Sequence, residues 1–204
     1  MSISNIRTTF LVSQEFFFKV KDAMVTTDKR LFLGLEIPLE VTEAINEWRA
    51  HQLHQVDGRA IPKQNFHITL AFLGQVNQSQ FESLLNGCAK IEAPAFDLIL
   101  NQLGWFTRPQ ILWLGPDKVP EPLVHLATEC QWLARTLDLN FETDYRPHLS
   151  LYRKATGIPK IEVPEFSMTL TRFHLYESLQ VDGQVQYPIQ HSWPLVMHED
   201  QRRA

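Results

Sequence analysis

The chain has 204 residues, enough for one domain with a full hydrophobic core or for two very small ones. Its 44% hydrophobic and 21% charged residues, with 8 Gly and 12 Pro, exclude disordered, collagen-like and disulfide-scaffold classes. A formal charge of −4 argues against a protein that coats long nucleic acid through many basic contacts, whereas a ligand with one or two phosphates needs only a local positive cluster.

Residues 1–28 carry aromatic patches, but Gln14 and Glu15 interrupt the apolar stretch and no small-residue cleavage site follows, which argues against a signal peptide. They read as an N-terminal extension: flexible, added as a strand, or upstream of the true start, since Met24 precedes a clean opening at Lys29. RLFLGLEIP, from Arg30, is a short apolar run ended by proline, as in a buried strand. Val41, Ala44, Ile45 and Trp48 then recur at helical spacing and predict a helix over about 39–54. A loop with Asp57-Gly58 and Pro62 leads into the strand NFHITLAFLG (65–74). Asn77-Gln78-Ser79 offers capping chemistry for a helix carrying Phe81, Leu84, Leu85 and Cys88. FDLILNQLGWF (96–106) reads as one alternating strand and ILWLGP (111–116) as another, closed by Gly-Pro. Leu123, Leu126, Ala127, Cys130, Leu133 and Leu137 mark an amphipathic helix. Tyr145-Arg146-Pro147 delivers the strand HLSLYR (148–153). EFSMTLTRFHLYESLQ, a turn at Asp182-Gly183 and VQYPIQHSWPL close the chain as a strand hairpin.

The order strand, helix, strand with His-x-Thr, helix, strand is followed by strand, helix, strand with His-x-Ser, strand. No Pro/Gly/Ser-rich linker separates the two runs. This predicts one α+β domain over 29–197 built of two similar lobes, with a tail over 198–204. Cys88 and Cys130, the only cysteines, read as reduced thiols of a cytoplasmic protein, and no apolar run approaches the roughly 18 residues of a membrane span.

The two polar motifs carry the chemistry. Side chains alternate faces along a strand. Phe66, Ile68, Leu70 and Phe72 therefore share one face, and His67, Thr69 and Ala71 the other. In the second copy Leu149 and Leu151 lie opposite His148, Ser150 and Tyr152. Each copy offers an imidazole and a hydroxyl about 7 Å apart. One such motif is commonplace; two on equivalent helix–loop–strand units predict four side chains converging on a cleft. With histidine titrating near pH 6.5, one ring can be neutral and the other protonated. The neutral ring takes a proton from water and the charged ring gives one to a departing alkoxide, while the hydroxyls hold phosphoryl oxygens. That set suits in-line displacement at a phosphodiester, above all a strained cyclic one. No metal or other cofactor is called for, because neither motif sets a carboxylate or cysteine beside its histidine. A serine nucleophile fits poorly: Ser150 and His148 lie along one strand, and no G-x-S-x-G turn is present. His51, His54, His125, His174, His191 and His198 read as structural or solvated.

RLFLGLEIP, NFHITLAFLG, LGWFTRPQILWLG, YRPHLSLYRK and the late FHLYES followed by a tyrosine together resemble the bacterial RNA 2′,3′-cyclic phosphodiesterases. These were formerly called 2′-5′ RNA ligases (LigT-like) and belong to the two-histidine (2H) phosphoesterase superfamily. The resemblance runs from about Lys29 to Leu195. It implies a bilobal fold with two antiparallel sheets facing a central cleft and helices outside. It implies hydrolysis of a terminal 2′,3′-cyclic phosphate to a 2′-phosphate, with RNA ends or small cyclic nucleotides as substrate, in a monomer without obligate protein partner. By the same resemblance His67 protonates the leaving 3′-oxygen, His148 activates water, Thr69 and Ser150 bind the phosphate, and Arg153 contacts it. Serine stands at 150 where the family more often has threonine, with the hydroxyl retained. Among Arg59, Lys63, Arg146, Arg153 and Lys154, only Arg153 is singled out as a phosphate contact. Tyr152 and Tyr187 are candidates to stack on a base; Phe72 is assigned to the core by alternation. Two other readings stay open: a 2′-5′ RNA ligase working through the same site, and a nucleotide-binding module without turnover.

Overall fold

The structure, a computed structural model, describes residues 28–197. The predicted N-terminal extension, the C-terminal tail and His198 lie outside the described residues. In chain order the elements are β1 (Lys29–Glu36), α1 (Leu39–Gln52), β2 (Arg59–Ala60), β3 (His67–Val76), α2 (Gln78–Cys88), β4 (Phe96–Leu100), β5 (Gln102–Phe106) and β6 (Ile111–Gly115). Then come α3 (Glu121–Thr136), β7 (Leu149–Arg153), β8 (Phe166–Leu170), β9 (Arg172–Glu177), β10 (Leu179–Val181), β11 (Gln184–Gln186) and β12 (Ile189–Pro194).

The helices form where apolar spacing and caps foretell them. Asn77 closes a capping box with Gln80: its side chain accepts from the Gln80 N–H at 2.9 Å, and the Gln80 side chain accepts from the Asn77 N–H at 3.2 Å. Leu123, Leu126, Ala127, Cys130 and Ala134 of α3 are buried in one core cluster with Leu84 and Cys88 of α2, Ile45 of α1 and the inward residues of the strands. The fold is α+β, with the main sheet ordered β12-β9-β1-β3-β7-β6-β5 and β2 paired to β7. β12, β9, β1 and β3 form the first lobe, and β7, β6, β5 and β2 the second. They join through the antiparallel pair Ile68↔Leu149, both fully buried.

Two apolar runs break where strands change partners, each at a pair of adjacent polar residues, Asn101-Gln102 and Thr171-Arg172. Residues 96–106 divide at Asn101: β4 leaves to pair with β8, while β5 pairs with β6. The Asn101 N–H donates to Gly115 O and its side-chain oxygen accepts from the Asp117 N–H, each at 3.0 Å, so the residue pins the corner. Residues 165–180 likewise become β8, β9 and β10. Alternation reports which face is buried and is blind to the identity of the neighbouring strand. The predicted turn at Asp182-Gly183 has positive φ at both residues (50° and 77°), as a two-residue hairpin loop between β10 and β11 requires.

The same departure from regular pleating occurs in both motif strands. The β1/β3 register passes from Leu33↔Ala71 to Gly34↔Thr69, which leaves Leu70 as an extra residue. The β6/β7 register passes from Leu112↔Tyr152 to Trp113↔Ser150, which leaves Leu151 extra. These are β-bulges three residues after each histidine, and each reverses the phase of the residues beyond it. The carbonyl of the extra residue accepts from a helix side chain in each lobe. Gln131 of α3 donates Nε2 to Leu70 O at 2.7 Å, and Arg49 of α1 donates Nη1 to Leu151 O at 3.3 Å. Leu151 O also accepts the Ile61 N–H at 2.9 Å. Arg49 is 8% exposed. Its guanidinium bonds Ile61 O and Asn46 Oδ1 and lies over the Phe66 and Tyr152 rings at 5.0 and 5.8 Å. Desolvation lowers its pKa, yet a guanidinium stays protonated.

Arg49→Met keeps the apolar stem and removes the charged donor, so chemical denaturation should show a loss of about 2–3 kcal/mol. Gln131→Leu, which removes a neutral bond, should cost about 1 kcal/mol. Equal and negligible losses would show that the bulges hold without these side chains.

Candidate active site

The pair Ile68↔Leu149 sets the site's geometry. Continuing that antiparallel register by one residue each way places His67 across from Ser150, and Thr69 across from His148. A local two-fold relation therefore exchanges the motifs and sets the histidines on a diagonal. His67, Thr69, His148 and Ser150 line one cavity of about 240 Å³, while Ile68, Leu149 and Leu151 are fully buried on the other face.

Each imidazole is anchored alike. His67 Nδ1 lies 2.8 Å from Asn65 O and His148 Nδ1 lies 2.8 Å from Arg146 O. A carbonyl only accepts, so Nδ1 carries the hydrogen in both rings and Nε2 remains for proton transfer. Aromatic rings confine them. Phe32 and Tyr187 lie 4.7 and 5.0 Å from the His67 centroid, and Phe106 stands edge-on to His148 at 4.9 Å. Asn65 also donates Nδ2 to Val185 O at 2.7 Å, tying the β10–β11 hairpin to the His67 anchor.

Burial, the proximity of His148 and the guanidinium of Arg153 all depress His67, against the bond to Asn65 O; the net effect, led by burial, is a pKa of about 4. Burial also lowers His148, with Arg146 acting the same way, while the bond to Arg146 O and the carboxylate of Glu142 oppose the shift. Both rings are thus neutral near pH 7 in the free protein, where the sequence led us to expect one neutral and one charged.

Arg153 and Tyr187 line the same cavity as the four motif residues. Tyr152 does not. It is 8% exposed, belongs to the core cluster and donates its hydroxyl to Leu53 O at 3.1 Å, so its expected contact with a base is corrected. The bulge at Leu151 is the cause: beyond it Tyr152 turns inward and Arg153 takes the cleft face. The mirrored correction applies to Phe72, which alternation put in the core. After the bulge at Leu70 it lines the cavity, with the Arg30 guanidinium 5.1 Å from its ring. Phe32, Glu142 and Ser178 join the lining from distant segments; Phe32 and Ser178 lie in RLFLGLEIP and FHLYES, but neither stretch marked them as site residues. Of the other basic residues Arg146 lines the cavity, whereas Lys63 is held by Glu43. His174 is buried with Nδ1 2.8 Å from Ser192 Oγ, in keeping with a structural role. Among the described residues no three His, Cys, Asp or Glu side chains gather as a metal site, and no helix is long and apolar enough to cross a membrane.

Comparison with known proteins agrees with this geometry. The family described as LigT like Phosphoesterase matches residues 35–113. The RNA 2′,3′-cyclic phosphodiesterase of Escherichia coli K12 is 33% identical over 170 residues, covering 82% of this chain and 97% of that protein. The Bacillus subtilis protein of the same name is 27% identical over 161 residues, covering 72% and 86%. Escherichia coli LigT complexed with 3′-AMP superposes with a TM-score of 0.78 at 32% identity, over 82% of this chain and 98% of that one. The complex of that protein with phosphate superposes at 0.74 with 32% identity, over 83% and 98%. With both histidine motifs on one cavity and similarity along nearly the whole length of such a relative, the chain belongs to the LigT-like phosphoesterase family.

Proposed function

We propose that the protein hydrolyses RNA 2′,3′-cyclic phosphate ends to 2′-phosphates by a two-histidine acid–base mechanism. The observation that carries this reading is the two-fold-related pair of histidines. Both are locked through Nδ1 and free at Nε2, and a hydroxyl stands across from each on one cavity wall.

The phosphorus sits between the rings with its non-bridging oxygens on the Thr69 and Ser150 hydroxyls and Arg153 alongside. His148 Nε2 takes a proton from water as the water oxygen attacks phosphorus. The bond from phosphorus to the 3′-oxygen breaks on the opposite side, and His67 Nε2–H protonates that oxygen. The 2′-phosphate leaves, and solvent exchange returns each ring to its starting state. These residues supply both proton transfers without a Lewis acid.

His67 starts with a depressed pKa, so its proton must come with the substrate. A phosphodiester anion set beside the ring favours the imidazolium and offsets part of the desolvation. Neither ring gains from being charged before the anion arrives.

The mechanism is tested in three ways. First, His67→Ala and His148→Ala should each lower turnover of a 2′,3′-cyclic nucleotide by roughly 10²–10⁴-fold, and EDTA should leave the wild type unaffected. Full activity in either variant, or loss to EDTA, would sink the mechanism. Second, a substrate with sulfur at the 3′ position leaves as a thiolate that needs no proton. It should restore His67→Ala and leave His148→Ala inactive; the reverse pattern would exchange the two roles. Third, one ring must be protonated and the other neutral, and both pKa values lie below 6.5 in the free protein. The profile of kcat/KM, which reports free enzyme, should therefore peak on the acidic side of pH 6.5. The profile of kcat should peak at higher pH, and NMR titration should show the His67 pKa rising from about 4 when 3′-AMP is added.

A further inference from the structure

Beside the catalytic cavity runs a second groove of about 360 Å³, which shares with it Ile61, Asn65, Arg153 and Tyr187. It continues past these residues to Arg59 on β2 and to the backbone of the β10–β11 turn. The bond from Asn65 Nδ2 to Val185 O holds that hairpin in place as the outer wall.

The charge in this groove is one-sided. Arg59 and Arg153 are direct partners in the β2/β7 register, so the two guanidinium side chains leave the ladder side by side on one face. Like charges directly opposite each other on neighbouring strands repel. Neither arginine meets a carboxylate among the described residues, and no acidic side chain lines the groove. Lys63, nearby in sequence, shows the contrast, because Glu43 neutralises it. Two unpaired cations on paired positions beside a phosphate-handling cavity form a place for an anion outside the one being cleaved.

We propose that this groove binds the phosphodiester on the 5′ side of the terminal nucleotide, making the protein selective for oligoribonucleotide ends over cyclic mononucleotides. The assignment rests on the cyclic-phosphodiesterase reading and adds the subsite that holds the strand beyond the terminal nucleotide. A cyclic phosphate closes the 3′ end of the strand, so the rest of an RNA leaves only through the 5′-oxygen of that nucleoside. The groove is the exit that shares Arg153 with the cavity, and Arg59 stands one step further along it. Arg59 would then bind the first phosphate that a mononucleotide lacks.

The test compares adenosine 2′,3′-cyclic phosphate with the dinucleotide ApA ending in a 2′,3′-cyclic phosphate, on the wild type and on Arg59→Gln. Arg59 is exposed on a two-residue strand, so the variant should fold normally, as circular dichroism will verify. The wild type should prefer the dinucleotide by roughly tenfold in kcat/KM, the value of one charge-assisted contact. Arg59→Gln should erase that preference and leave the mononucleotide rate unchanged. It should also lower the salt dependence of dinucleotide turnover by about one phosphate contact, and Arg59→Lys should recover part of the preference. Equal rates for both substrates in the wild type, or equal slowing of both in Arg59→Gln, would overturn the groove and leave the catalytic reading standing. If the wild type turns over neither substrate, the catalytic reading fails. Calorimetry with 3′-AMP and ApA 3′-phosphate then decides the groove alone: tighter dinucleotide binding that Arg59→Gln abolishes supports it, and equal affinities overturn it.

Discussion

The pairing of Ile68 with Leu149 is the interaction on which the rest of the molecule depends. It is where the two lobes share a ladder. Because it is antiparallel, it places the motifs in a two-fold relation without any symmetry of the chain. A slip by one residue would turn both histidines into the core and expose Ile68, Leu70, Leu149 and Leu151, all of which are fully buried. The apolar face therefore specifies the register, and the register specifies the diagonal of the two histidines.

The bulges at Leu70 and Leu151 make a wider site out of that diagonal. Regular pleating would present alternate residues indefinitely and direct Ala71 and Tyr152 at the cleft. The extra residue reverses the phase and presents Phe72 and Arg153 instead. In one lobe this adds an aromatic wall and in the other a cation, from the same backbone device. A buried carbonyl without a partner is costly, and at each bulge a helix side chain donates to the carbonyl of the extra residue, joined at Leu151 by the Ile61 N–H. Gln131 and Arg49 meet the two carbonyls from different helices, so the helices do more than cover the apolar face. They stabilise the irregularity that shapes the site.

The electrostatics follow from the same placement. A chain with a net charge of −4 gathers Arg30, Arg146 and Arg153 around one cavity, with Arg59 in the adjoining groove. Burial keeps both imidazoles neutral until an anion arrives, and the arginines oppose protonation further. In the proposed reaction the substrate's charge completes the site. The anchors at Asn65 O and Arg146 O fix the tautomer and leave Nε2 of each ring for a proton.

How much of this was legible depended on the range of the forces involved. The helices, the capping box at Asn77 and the turn at Asp182-Gly183 are local, and local propensity and φ preference were enough to place them. The two His-x-Thr/Ser motifs were legible because period-two alternation and their repetition are both written along the chain. The change of sheet at Asn101 was not, since the polar pair Asn101-Gln102 is the only local mark of it and alternation does not identify a strand's neighbour. Tyr152 and Phe72 were misplaced for a related reason: a bulge belongs to the register between two strands, and a single strand carries no mark of it. Tertiary structure alone also brought Phe32, Glu142 and Ser178 to the cavity and set Arg59 against Arg153. Those approaches are fixed by hydrogen-bonded pairing between segments far apart in sequence. By itself, then, the sequence determined which side chains could do the chemistry, and the folded register decided which of them meet.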